Sequence, residues 1–177
     1  MKFISRINGP VVKAKGDDDF SVQDMVYVGK IRLIGEVISV DRDEATIQVY
    51  ESTSGLMPGE PVETTGQPLS VYLAPGIIGN MFDGIQRPLE KLYEASGDFI
   101  TRGQQFDNLD TEKKWHFIPV LQEGAKVSAL SIFGEIPETG SVRHRVMIPM
   151  PLSGIASAAD GVLEYVAPEG DYTITDC

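Results

Sequence analysis

The feature that most constrains this chain is the cadence of its turns. Phe3 to Ile7 alternates apolar with polar residues, Asn8-Gly9-Pro10 turns the chain, and Val11 to Ala14 resumes it, the pattern of a tight hairpin. Met25 to Val28, Ile31 to Val40 and Ala45 to Tyr50 are rich in Val and Ile and are parted by Gly29-Lys30 and Asp41-Arg42-Asp43-Glu44. A long turn over Ser52 to Pro61 follows, and Val62 to Thr65 with Leu69 to Leu73 complete the set. About six short strands with turns roughly every ten residues favour a small closed barrel over residues 1–73. Gly35 interrupts an otherwise apolar strand, so a bulge or sharp bend is expected there.

The stretch Leu69 to Leu92, LSVYLAPGIIGNMFDGIQRPLEKL, breaks this pattern. Ala74-Pro75-Gly76 ends a strand, Ile77 onward can wind into a short helix, and Pro88 suits a first helical position because its missing N–H costs nothing there. Residues 74–111 therefore read as a connector, helical to about residue 96 and then looping through Asp98 to Asp110. From Trp115 short strands resume, so residues 112–177 form a second β module.

Composition limits the partners. At 177 residues, 42% hydrophobic and 23% charged, the chain can bury a core in one domain or two small ones. Fifteen Lys and Arg against 26 Asp and Glu give a net charge of −11, which repels nucleic-acid phosphate and anionic membrane and favours a basic protein partner. The single cysteine, Cys177, allows neither an internal disulfide nor a thiolate metal cluster, which fits a reducing, cytoplasmic setting. The start, MKFISRINGP, lacks the apolar run of a signal peptide, and no stretch reaches the roughly 18 apolar residues of a membrane span, so no membrane insertion is expected.

Several motifs read as structure rather than chemistry. Asp17-Asp18-Asp19 lacks the alternate ligand spacing and distant Glu of an ion loop, and reads as a solvated turn. Gly29-Lys30 fails as a phosphate loop, because the required glycine is Asp24 and the required Ser or Thr is Ile31. His116 and His144 fall short of the convergent ligands a metal centre wants, and read as structural histidines. No metal or cofactor is expected in this segment.

The run Gly35 to Glu90 resembles the N-terminal region of the catalytic A subunit of V-type and A-type rotary ATPases. The resemblance rests on ATIQVYESTSG (Ala45 to Gly55), PGEPV (Pro58 to Val62), Leu69-Ser70 followed by Pro75-Gly76, and FDGIQRPL (Phe82 to Leu89), with Ile7 to Val12 similar to the family's opening hairpin. It implies a β-barrel that packs with its neighbours into a crown at one end of an alternating A and B hexamer.

The second module adds to it. Trp115 to Val120, Glu123-Gly124-Ala125-Lys126-Val127, Ile132 to Ile136, Val142 to Ile148, Pro149-Met150-Pro151 and Ser153-Gly154-Ile155-Ala156 are similar in order to the barrel-sandwich hybrid of biotinyl and lipoyl carriers. Between the halves, Arg143-His144-Arg145 and Met147 to Met150 offer no lysine to acylate, so carriage is not expected. Lys114 to Phe117 and Glu123 to Ala129 also resemble the bulge insertion of the catalytic rotary chain. The family's phosphate loop, catalytic glutamate and adenine pocket lie past the residues present.

The resemblance thus implies a non-nucleotide-binding segment, with no catalytic residue of its own, of a subunit that hydrolyses or makes ATP with Mg and couples it to proton or sodium transport. The segment would serve hexamer assembly with the B chains of a V/A-type ATPase and contact with peripheral-stalk subunits, in a soluble sector peripheral to the membrane. The alternative is a stand-alone interaction or assembly protein built from the same modules. Candidate interface residues are Gln86 and Arg87 in the connector, Trp115 as an aromatic anchor, and Arg143 and Arg145, which share one face of an alternating strand and could grip an acidic partner. Core or hinge packing for Trp115 and a solvated face for the two arginines are the competing readings.

Overall fold

The computed structural model describes residues 2–16, 20–149 and 161–176. Asp17-Asp18-Asp19, Met150-Pro151, Ser153 to Ala156 and Cys177, all singled out above, lie outside them. The chain divides into two compact units, one of Met1–Tyr72 with Met81–Phe106, the other of Leu73–Asn80 with Asp107–Cys177. Residues 74–111 are therefore shared between the units.

The first unit holds β1 (Phe3–Asn8), β2 (Val11–Lys15), β3 (Asp24–Val28), β4 (Leu33–Asp41), β5 (Glu44–Val49) and β6 (Val62–Pro68). All pair antiparallel in one sheet of order β1-β2-β5-β4-β3-β6. The period-2 alternation seen in the sequence becomes one buried face, carrying Val12 and Ala14, Val26 and Val28, Leu33 and Val37, and Ala45, Ile47 and Val49. Each fully buried Val, Leu or Ile there contributes roughly 1.5–3 kcal/mol. The outer strands meet along a short seam: Ile4 N–H donates to Glu60 O, Gly59 N–H to Ile4 O and Val62 N–H to Lys2 O, with one bridge at Phe3 and Pro61. The sheet thus curls into a barrel that does not close, where the sequence favoured a closed one, because β1 and β6 share only this short seam and no ladder.

Three local expectations change. Leu69 to Leu73 is not a strand, because β6 runs on to Pro68 and spends the pairing there. Ile77 onward turns instead of winding into a helix; Asn80 N–H bonds Ile77 O, and the Asn80 side chain bonds Gly76 O. Gly35 stays in register opposite Val26 and Val49, and the irregularity falls between Val37 and Ser39. Gly35 answers a close approach: a Cβ there would sit 2.9 Å from both the Gln48 carbonyl oxygen and Ile47 Cγ2.

Helix α1 (Leu89–Ser96) begins after Pro88, which is extended at φ −70° and ψ 117°. Glu90 in the first turn suits the helix dipole, Leu92 is buried, and Gly97 stops the helix at φ 66° with its N–H on Tyr93 O.

The second unit holds β7 (Trp115–Pro119), β8 (Lys126–Val127), β9 (Ile132–Pro137), β10 (Arg143–Met147), β11 (Gly161–Val162) and β12 (Gly170–Tyr172). Four of them make a sheet of order β10-β9-β7-β12, and β11 pairs with β8. Its core is Trp115, Phe117 and Ile136, with Phe133, Val146 and Tyr172 packed around them. Phe117 meets Tyr172 edge to face, with ring centroids 6.2 Å apart.

Candidate functional site

The sequence-predicted residues fall into both units. Gln86 and Arg87 belong to the first, and Trp115, Arg143 and Arg145 to the second.

Gln86 and Arg87 stand in the turn that precedes α1. Asp83 shapes that turn: its Oδ1 accepts the N–H of Ile85 and of Arg87, and its own N–H donates to Arg87 O. Arg87 Nε then donates to Asp83 Oδ2 at 2.8 Å. Arg87 Nη1 lies 3.2 Å from Glu51 Oε1, an ion pair without hydrogen-bond alignment, and Glu51 Oε2 accepts Gly103 N–H. Burial presses against both charges, but the bonds from Arg87 hold the Asp83 carboxyl below its usual range. Burial likewise works to lower Arg87, and the Asp83 hydrogen bond with the Glu51 charge carries the guanidinium above its usual value instead. Gln86 sits at φ 60° and clasps Tyr72 at two points, with Oε1 accepting the Tyr72 N–H and Nε2 donating to Tyr72 O at 2.8 Å. Both side chains are buried and spent inside their own unit.

Trp115 opens β7 and is 8% exposed. Lys113 Nζ lies 4.1 Å from its ring centroid, and Gly76 approaches the same indole so closely that a Cβ would be 3.4 Å from Cζ2. The Pro75-Gly76 turn is held by Glu138, which follows β9. Its Oε1 accepts Gly76 N–H at 2.6 Å, its side chain is 3% exposed, and His144 Nδ1 stands 3.8 Å from its Oε2.

Arg143 and Arg145 point to the exposed face of β10, as the alternation implies. Arg143 Nη1 lies 3.4 Å from Glu135 Oε2 with most of its side chain in solvent. Arg145 sits in register opposite the same Glu135. On β7, next to the edge strand β12, His116 bridges two acids, with Nδ1 2.9 Å from Asp171 Oδ1 and Nε2 3.2 Å from Glu169 Oε1. Among the described residues, no three His, Cys, Asp or Glu side chains converge as metal ligands, and no helix is long and apolar enough to cross a membrane.

Sequence reasoning missed Glu51, Asp83 and Glu138. Asp83 carried a local signal, since an Asp before Gly84 favours a turn. Glu51 and Glu138 carried none, because their partners are far away in the chain.

Two family models match: the β-barrel domain of the ATP synthase alpha/beta family over residues 4–66, and the barrel-sandwich domain of the ATP synthase alpha/beta subunit over residues 106–177. A V-type ATP synthase alpha chain of Clostridium botulinum (strain Hall) is 47% identical over 173 residues, covering 98% of this chain and 28% of the relative. The A subunit of the A-type ATP synthase of Desulfurococcus sp. (strain SY) gives the same identity and the same coverage. A V-type ATP synthase alpha chain of Streptococcus gordonii is 53% identical over 152 residues, 85% of this chain and 26% of that one. The chain thus spans about 28% of the length of the first relatives it matches. A solved structure of the assembled ATPase EscN from the enteropathogenic E. coli type III secretion system matches 75% of this chain and 30% of that one at 19% identity, with a TM-score of 0.46, too loose a likeness to carry argument. With the barrel and barrel-sandwich stretches both matched, and near half identity sustained across almost all of its residues, the chain belongs to the ATP synthase alpha/beta family, alongside the V-type and A-type alpha chains.

Proposed function

We propose that this chain acts as the N-terminal, non-nucleotide-binding segment of the catalytic A subunit of a V/A-type ATPase. Residues 1–73 serve as the crown barrel, 74–111 as the connector and 112–177 as the bulge module. The whole catalytic chain takes up ATP and Mg elsewhere and couples hydrolysis or synthesis to proton or sodium movement. This segment contributes hexamer assembly with the B chains and contact with peripheral-stalk subunits, in the soluble sector at the membrane.

The observation that carries the reading is the paired match, barrel at 4–66 and barrel-sandwich at 106–177, in the order in which the alpha chains are matched over 98% of this sequence. Against nucleotide binding in this segment stands Gly29-Lys30, the chain's single Gly-Lys pair, set between Asp24 and Ile31 instead of within a phosphate loop. Within the reading, Gln86 and Arg87 act from inside, by fixing the turn before α1. Arg143 and Arg145 supply the surface charge for an acidic partner.

The test has two arms. Calorimetry with Mg-ATP is expected to show no binding to this chain, and micromolar binding overturns the nucleotide-free reading. Co-purification with a cognate B chain is expected, and its failure together with failure on the stalk subunits removes the assembly role.

A further inference from the structure

We propose that Leu73–Asn80 is a strap latched onto the second unit by the carboxylate of Glu138, and that unlatching it uncovers Trp115. Its apolar hold is narrow: Pro75 is buried and Ala74 and Ile77 are half-buried, while Leu73 is 76% and Ile78 49% exposed. The directional part of its attachment is polar. Glu138 Oε1 takes the N–H of Gly76 at 2.6 Å and faces that of Ile78 at 3.4 Å, from a side chain that is almost fully buried. A buried carboxylate that accepts backbone N–H groups makes a strong, directional attachment, and one whose loss is concentrated at a single residue. His144 stands beside the other carboxylate oxygen and completes its surroundings.

The strap is built to move as one piece. Asn80 closes it on itself through Ile77 O and Gly76 O, so its internal turn survives when the Glu138 bonds break. Beneath the turn lies the indole of Trp115, with Gly76 in left-handed φ of 105° pressed toward Cζ2. The closed arrangement also leaves the Trp115 Nε1–H buried with no acceptor among the described residues. Glu138 therefore favours the closed state while the unpaired indole donor works against it, which is the balance a two-position element needs. Opening bares the Cζ2 side of the indole, aromatic surface of the type that anchors protein contacts, while Lys113 stays over the ring.

Trp115 is the chain's single tryptophan, so its emission reports the strap directly. In Glu138→Ala we expect a red-shifted emission maximum, greater acrylamide quenching, and amide exchange at Gly76 and Ile78 faster by about tenfold or more. Exchange at Phe117 and Ile136 stays protected. Gly76→Ala attacks the latch from the strap side, because a Cβ is strained at that φ, and gives the same signature. Glu138→Gln keeps an acceptor oxygen and falls between the wild type and Glu138→Ala. Wild-type emission and exchange in Glu138→Ala would overturn the proposal. So would equal loss of protection at Gly76, Phe117 and Ile136, since Glu138 would then support the whole unit and not a strap.

Discussion

Arg87 stands 3.2 Å from Glu51, tying the turn before α1 to the second residue past the end of β5, although the two lie far apart in sequence. Both side chains are almost fully buried, and Asp83 holds the same guanidinium from the other side at 2.8 Å. One cation thus serves two carboxylates, and the arrangement is tolerable only while the cation is in place.

Removing that cation is therefore costly. Arg87→Ala leaves the buried Glu51 and the half-buried Asp83 without their counter-charge and is expected to lower the stability of the first unit by about 3 kcal/mol. Arg87→Lys restores charge but lacks the planar fork needed to reach both acids, and recovers only part of the loss. Urea unfolding followed by circular dichroism decides this, and a loss under about 1 kcal/mol for Arg87→Ala would show the pair to be incidental.

Gln86 separates two effects that act at one position. Gln86→Ala removes both bonds to the Tyr72 backbone, at about 1 kcal/mol each, and keeps the left-handed strain at φ 60°. Gln86→Gly removes the same bonds but relaxes the backbone, so it should be the more stable of the two by roughly 0.5–1 kcal/mol. Equal stabilities would mean that the turn rearranges once the side chain is gone.

What the sequence made legible was local. The strands of the first unit follow from alternation such as Ala45, Ile47 and Val49 facing inward, and β10 follows from the same rule, which also places Arg143 and Arg145 on one exposed face. Pro88 marked the neighbourhood of the α1 start but not its place in it: it is the extended N-cap, and Leu89 takes the first helical position expected for the proline. What failed depended on distance. Leu69 to Leu73 has strand-like composition, yet it joins none of the sheets. The sequence leaves Arg87 as a candidate interface residue and Trp115 as either anchor or core, and does not say that Glu51 and Gly76, far off in the chain, lie against them. Gly35 signalled a constraint correctly but not its kind, since a close carbonyl and a bulge leave the same mark in one sequence.

Gly134 in β9 tests the packing of the second core. A Cβ placed on it would lie 2.0 Å from Phe117 Cε2 and 2.4 Å from Cζ, inside the ring's own space. Phe117 cannot easily yield, because it is 5% exposed and set edge-on against Tyr172. Gly134→Ala is expected to destabilise the second unit by about 2–3 kcal/mol. Phe117→Leu in the same chain should return part of that, and the double-mutant cycle measures the coupling. Additive losses would indicate that the ring is not what the methyl group meets.

His116 makes the stability of the second unit depend on pH. Hydrogen bonds to Asp171 first, then to Glu169, raise its pKa above the ordinary histidine value of about 6.5. A raised folded value means that the folded state binds the proton more tightly than the unfolded chain does. The stabilisation is therefore fully present below about 6.5 and is lost as pH climbs through the raised folded value. The cluster is exposed, so the effect is modest and salt should shrink it. Melting temperatures measured from mildly acidic to mildly alkaline pH should show the wild type ahead of His116→Gln at the acidic end, with the gap closing as pH rises. In high salt the gap should narrow at every pH. Parallel curves for the two proteins would mean that the ring gains nothing from its proton in the folded state, and that the two acids are neighbours rather than partners.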